Sequence, residues 1–186
     1  MMPNLKLLID MPVYPPVLEK LKQLPAVSVQ LIENPAEVKR ALPVQLIQDA
    51  DMLFCTIPPE NHVEMKQLKL LQIASAGFTQ LIGKGWESRN ITACNALGVF
   101  DVPISEWNIA MMINMARNMK AMIVNQQAAV WDRNARFQKE IRGSVVGLWG
   151  YGGIGRETAR LAKQLGMQVH VLNRSELRAR TNTYAV

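Results

Sequence analysis

An α/β fold built on parallel sheets is what the sequence predicts, and three observations carry it. Short apolar runs alternate with segments of helical spacing through the first 98 residues, the pattern of strands joined by crossovers. A glycine-rich turn, Gly150-Tyr151-Gly152-Gly153-Ile154-Gly155, stands between a strand-like and a helix-like segment. An apolar fraction of 49% against 19% charged residues is that of a chain with a packed core.

Residues 5–9 read as a short buried strand. Pro15-Pro16 then suits the entry of a helix that runs to Leu24, and Pro25 ends it. Residues 27–31, with Val27 and Val29, make a second strand; Asn34-Pro35 is expected to open another helix; residues 51–55 make a third strand. Helical material is expected after Pro58-Pro59. Residues 70–75 form a fourth strand that breaks at Ala76-Gly77, and residues 91–95 form a fifth.

Asn95, Ala96, Leu97 and Gly98 punctuate the chain, so the domain boundary is set between there and Pro103, with a first domain of residues 1–98 and a second of residues 99–186. A helix over residues 105–118 follows. Trp107, Ile109, Met111, Met112, Ile113 and Met115 make it apolar almost all round, so burial on most sides is expected, in a core or at an interdomain or dimer interface. Asn108, Asn114 and Arg117 interrupt it, and it is shorter than the ~20 residues of a membrane span. A second helix is expected to end near Trp131, and residues 132–140 read as a polar surface connection.

The formal charge of +6 is unevenly distributed: nine basic and nine acidic residues balance up to Gly98, so the whole excess lies beyond it. That excess admits a solvated basic face, a site for a phosphorylated cofactor, or a nucleic-acid footprint. No basic run is interleaved with aromatics, which argues against nucleic acid. Cys55 and Cys94 are the only cysteines, and neither belongs to a Cys-x-x-Cys or Cys/His cluster. Free thiols in a reducing cytoplasm and no metal site are expected. The N-terminal apolar run is too short for a signal peptide and is broken at Asp10, so no export or membrane targeting is read from it.

Residues 144–149 are a strand, the glycine turn follows directly, and a helix over residues 154–165 puts Ile154, Thr158, Leu161, Ala162 and Leu165 on one face. Gly166 ends that helix, and residues 169–172 are the next strand. Such a turn needs its glycines. Gly150 permits the sharp reversal, Gly152 leaves no side chain between backbone and a pyrophosphate, and Gly155 lets helix and strand approach. The N–H groups of the first turn, those of Gly153 and Ile154 among them, lack helical acceptors, and the helix dipole favours an anion there. The dipole alone is worth about 0.3–1 kcal/mol, so directed hydrogen bonds must supply the rest. The six-residue pattern is weak evidence in isolation. Inside a strand, turn, helix and strand of these lengths it reads as a dinucleotide site.

The second strand of such a unit conventionally ends near an acidic side chain that reads the adenosine ribose. Asn173, Arg174 and Ser175 stand there instead. With no carboxylate to repel a 2′-phosphate, and a guanidinium and hydroxyl to hold it, NADP(H) is favoured over NAD(H). The alternative reading of Arg174, Arg178 and Arg180 is ordinary solvated charge.

With these residues in hand, the chain resembles the D-isomer-specific 2-hydroxyacid dehydrogenase family, which includes glyoxylate, hydroxypyruvate and phosphoglycerate dehydrogenases. Four stretches carry the resemblance: residues 70–77 (LLQIASAG), residues 91–98 (ITACNALG), Pro103-Ile104-Ser105-Glu106, and Ile141-Arg142-Gly143 leading into the glycine turn. Asn173-Arg174-Ser175 is similar to the NADP-using glyoxylate and hydroxypyruvate reductase branch. The resemblance implies a flavodoxin-like substrate domain followed by a truncated Rossmann domain. It implies that backbone N–H groups of Ser75, Ala76 and Gly77 hold the substrate carboxylate, as a loop of small residues allows. It further implies oxidoreductase activity on a small 2-hydroxy or 2-keto acid such as glyoxylate or hydroxypyruvate, and a homodimer when complete. The stretch around Ser105 and Glu106 departs from the commoner Ala-Glu-His form and is read as a helix start, with no catalytic role.

Relatives supply an arginine, a glutamate and a histidine well downstream of the second nucleotide-domain strand. This sequence stops at Val186, so it is read as an N-terminal fragment, inactive alone, with no catalytic residue assigned. Neither His62, near a helix start, nor His170, inside a strand, stands in for them. The rival reading is a non-catalytic nucleotide-sensing module of the same fold.

Overall fold

A computed structural model describes residues 4–133 and 138–174 of the chain. It divides into two compact units, Met1–Leu97 and Gly98–Val186.

In the first unit, β1 (Leu5–Asp10), β2 (Val27–Leu31), β3 (Met52–Cys55), β4 (Leu70–Ile73) and β5 (Thr92–Cys94) form one sheet of order β2-β1-β3-β4-β5. Every pairing is parallel. This is the flavodoxin-like order, with its switch point between β1 and β3. The two-residue period of the strands sets the core: Leu53 and Cys55 on β3, and Leu71 and Ile73 on β4, turn to the same buried side as Leu8, Ile47 and Met65. Each large aliphatic side chain buried there contributes about 1.5–3 kcal/mol.

The crossovers are less helical than the sequence predicts. α1 (Pro15–Lys22) starts on the proline pair as expected. The helix expected at Asn34-Pro35 does not form; Asn34 has φ +52°, which an α-helix excludes, and the crossover instead carries α2 (Val44–Ile47), entered through Pro43. After Pro58-Pro59 there is one 3₁₀ turn, His62–Glu64. Asn61 explains why: its side chain accepts from Leu42 N–H at 2.9 Å and donates to Leu42 C=O at 2.8 Å, fastening loop to loop. Between β4 and β5 the chain makes two more short 3₁₀ turns, Thr79–Leu81 and Glu87–Arg89.

In the second unit, α3 (Asp101–Ala116) and α4 (Met119–Gln127) precede β6 (Val145–Trp149), α5 (Gly153–Gln164) and β7 (Gln168–Leu172). β6 and β7 pair in parallel with Val145 opposite Gln168 and Trp149 opposite Leu172. α5 buries Thr158, Ala159 and Ala162. It closes through Gly166 at φ +79°, with Gly166 N–H on Lys163 C=O and Met167 N–H on Ala162 C=O, the paired bonds that suit glycine one residue past the cap.

α3 begins at Asp101, four residues before the expected Ser105, because Pro103 fits a first helical turn whose N–H groups need no acceptor. Its burial also differs from expectation. Only Ser105 and Ile109 are buried, whereas Trp107 is 63% and Met115 75% exposed. One stripe packs on α5 through Ile109 and Met112, while Val102, Trp107, Ile113 and Met115 stay exposed. α4 ends at Gln127, short of Trp131, where Ala129 turns to φ +53°. The outer face of β6 and β7 leaves Val145, Trp149 and Leu172 exposed.

Candidate functional site

The glycine turn links β6 to α5. Gly150 has φ +100°, a conformation that L side chains rarely adopt, and its N–H is fixed on Leu172 C=O at 2.8 Å. Gly155 is a packing requirement: a Cβ there would overlap the carbonyl oxygen of Gly150 and stand 3.2 Å from its carbon. Gly152 caps the helix at φ −77°, and a Cβ on it would meet nothing within 4 Å. The space in front of it is therefore open. The first intrahelical bond runs from Arg156 N–H to Gly152 C=O at 2.9 Å, and among the described residues no acceptor meets the N–H groups of Gly153, Ile154 and Gly155. A close backbone approach, open space before the cap and three free donors fit a diphosphate.

A buried hydroxyl chain holds this helix start in place. Ser105 Oγ donates to Ile154 C=O at 2.9 Å, Thr158 Oγ1 donates to Ser105 Oγ at 3.0 Å, and Asn108 Nδ2 donates to Thr158 Oγ1 at 3.2 Å. Ser105 and Thr158 are 0% and 1% exposed. Ser105, expected to start α3, instead positions the glycine turn from inside that helix. Asp101, in the first turn of α3, lies directly against Gly153: a Cβ on Gly153 would overlap its carboxylate. Sequence reading missed both contacts, since they join residues about fifty positions apart with no local periodicity to announce them.

At the end of β7, Asn173 Oδ1 accepts from Tyr151 N–H at 3.2 Å, tying the strand end to the glycine turn. Arg174 follows and is exposed. Ser175 lies outside the described residues.

In the first unit, β4 runs into Ser75, Ala76 and Gly77. Ser75 Oγ donates to Gly77 C=O at 2.8 Å and accepts from Gln80 Nε2 at 2.7 Å, while Asn95 Nδ2 donates to Ala76 C=O at 2.7 Å. These bonds occupy carbonyls and side chains. Among the described residues no acceptor meets the N–H groups of Ser75, Ala76 and Gly77, so the loop presents donors at the carboxyl edge of the sheet.

The remaining titratable groups are structural. His62 is buried, packs against Trp86 with ring centroids 4.5 Å apart and planes tilted by 46°, and has Nδ1 3.3 Å from the Arg89 guanidinium. Burial, then the charges of Lys84 and Arg89, holds its pKa below the usual histidine value. His170 is exposed on β7. Cys55 is buried, and desolvation, aided by the Asp10 carboxylate, pushes its thiol up to about 12. Asp10 itself is paired with Arg40. Both cysteines are free thiols, and no cluster able to hold a metal ion occurs among the described residues. None of their helices is long and apolar enough to cross a membrane.

Comparison with known proteins converges on this geometry. Residues 109–186 match the NAD binding domain of D-isomer specific 2-hydroxyacid dehydrogenases. Hydroxypyruvate reductase of Thermotoga maritima is 28% identical over 56% of this chain and 34% of its own length. 4-methyl-2-oxopentanoate reductase A of Aspergillus oryzae is 30% identical over 60% of this chain and 34% of its own. The structure of D-lactate dehydrogenase from Aquifex aeolicus, complexed with NAD and lactic acid, superposes with a TM-score of 0.70 at 19% identity, over 93% of this chain and 52% of that one. The chain spans about a third of the length of these two curated relatives. Residues 109–186, which follow the flavodoxin-like sheet in the sequence, are thus similar to the NAD binding domain of the D-isomer specific 2-hydroxyacid dehydrogenase family.

Proposed function

We propose that this chain contributes the carboxylate-binding and dinucleotide-binding elements of an NADPH-dependent reductase of small 2-keto acids. The observation that carries the reading is the glycine turn, with three N–H groups free of acceptors behind an open cap. Gly150, Gly152, Gly153, Ile154 and Gly155 hold the diphosphate, and Arg174 takes the 2′-phosphate with help from Ser175. Asn173 keeps strand and turn in register through Tyr151. When bound, the nicotinamide supplies the hydride.

The first unit is the substrate domain. The free N–H groups of Ser75, Ala76 and Gly77 donate to the substrate carboxylate, which orients the adjacent keto carbon; this needs no side-chain charge, because the donors come from main chain alone. The names of the relatives support the substrate class, since hydroxypyruvate and 4-methyl-2-oxopentanoate are both 2-keto acids. Neither described histidine is placed to donate a proton to the developing alkoxide: the buried His62 is enclosed by Trp86 and Arg89, and His170 stands on an exposed strand face. In this reading the enzyme is a cytoplasmic homodimer, and the exposed face of α3 with Trp107 and Met115 supports that assembly.

Titration of NADPH and NADH against the chain and its Arg174→Ala variant tests the assignment. The variant should lose about 10- to 100-fold in NADPH affinity, the equivalent of a charged hydrogen bond at about 1.5–3 kcal/mol, and little for NADH. Equal loss for both nucleotides would remove Arg174 from the 2′-phosphate.

A further inference from the structure

The carboxylate of Asp101 stands in an unusual place for a protein that binds an anion at α5. Among the described residues it accepts no hydrogen bond, yet it lies so close to Gly153 that a Cβ on that glycine would overlap both its oxygens. Gly153 is the first residue of α5, one of the three whose N–H groups lack acceptors. The same dipole and donors that attract an anion therefore already have one beside them. Asp101 is half-buried and comes from the first turn of α3, a helix whose register Ser105 fixes against Ile154 at 2.9 Å. Its backbone is thus held, and no hydrogen bond among the described residues fixes its carboxylate.

Two further features bear on what happens when that side chain moves. Asp101, Tyr151, Gly153, Arg156, Arg160 and Lys163 line one cavity of about 760 Å³ on the open side of α5. Arg156 and Lys163 share this lining with Asp101, as does Glu157, which is paired with Arg160. Gly153 itself needs no special backbone angle, since its φ is not positive, so what a glycine provides there is room for Asp101.

We propose that Asp101 is a charge gate on the dinucleotide site, a residue that neutralises the open helix start when no ligand is present and must swing toward Arg156 for a diphosphate to seat. The gate sets affinity rather than chemistry. It rests on the reading that α5 receives the diphosphate. A carboxylate left near two phosphoryl groups repels them across a few ångströms of partly solvated space, and this repulsion is the part that salt weakens.

The test measures calorimetric binding of NADPH, NADH and inorganic pyrophosphate to the full chain, to Asp101→Asn and Asp101→Ser, and to Gly152→Val as a site control. Expected are about tenfold tighter binding of all three probes to both Asp101 variants and a gap to the parent that shrinks between 0.05 M and about 0.5 M salt. Unchanged affinity in the Asp101 variants, with Gly152→Val abolishing binding, would overturn the gate and leave the site reading standing. Weaker binding in both Asp101 variants would overturn it too, by making Asp101 a support of the turn. Binding that survives Gly152→Val would sink the site reading and the gate with it.

Discussion

Replacing Gly155 with alanine puts the packing of the glycine turn to a quantitative test. The added methyl would overlap the carbonyl oxygen of Gly150 and lie 3.2 Å from its carbon. Both atoms are main chain, and Gly150 is pinned by its N–H on Leu172 C=O at 2.8 Å, so neither can turn aside as a side-chain tip would. Overfilling a packed site with one carbon costs about 1–3 kcal/mol, and a backbone obstacle puts this case at the upper end. In a unit of this size each kcal/mol moves the melting midpoint by about 4–8 °C, so a fall of roughly 8–20 °C is expected. Gly152→Ala is the internal control. Its Cβ would meet nothing within 4 Å and its φ of −77° suits any residue, so it should melt within about 4 °C of the parent. Thermal unfolding followed by circular dichroism reads both. A Gly155→Ala protein melting with the parent, or a Gly152→Ala protein that unfolds early, would refute the division of labour between the two glycines.

Other outcomes follow from the same structure. Thr158→Val keeps the volume but strips a 1%-exposed hydroxyl from the chain linking Asn108, Ser105 and Ile154, and should destabilise by about 1–3 kcal/mol in denaturant titration; a loss below about 0.5 kcal/mol would mean the chain does not matter. His62 has a folded pKa below its ordinary 6.5, so the unfolded chain binds more protons in that interval, and stability should fall as pH drops through 6.5 toward the folded value. His62→Gln should flatten that slope, and an unchanged slope would exclude His62 as its source. Cys55 should resist a thiol reagent at pH 8 in the native protein and react on denaturation, because its thiol is buried and pushed up to about 12; prompt native labelling at that position would contradict the burial.

Strand positions and the glycine turn were legible in the sequence because their signals are local. Apolar runs such as residues 70–73 and the spacing of Gly150, Gly152 and Gly155 fix backbone geometry within a few residues. The crossovers were not, because tertiary bonds overrode propensity. Asn61 clasps Leu42, and Asn34 turns left-handed, where Pro35 alone suggested a helix. Composition also misled for α3. Apolar residues all round imply burial, yet Trp107 and Met115 are exposed because nothing among the described residues covers them. In the candidate site the anion-binding backbone was foreseeable and its supports were not. Ser105 reads as a helix start and is a buried strut under Ile154; Asp101 lies ahead of the helix expected from Ser105 and faces Gly153.

The central claim is that the main-chain N–H groups opening α5 bind a diphosphate. Amide chemical shifts of the isotopically labelled chain, followed by nuclear magnetic resonance during NADPH addition, observe those groups directly. Large saturable shifts at Gly153, Ile154 and Gly155, absent from the Gly152→Val protein, are expected. Saturable shifts that leave these three amides unmoved would contradict it.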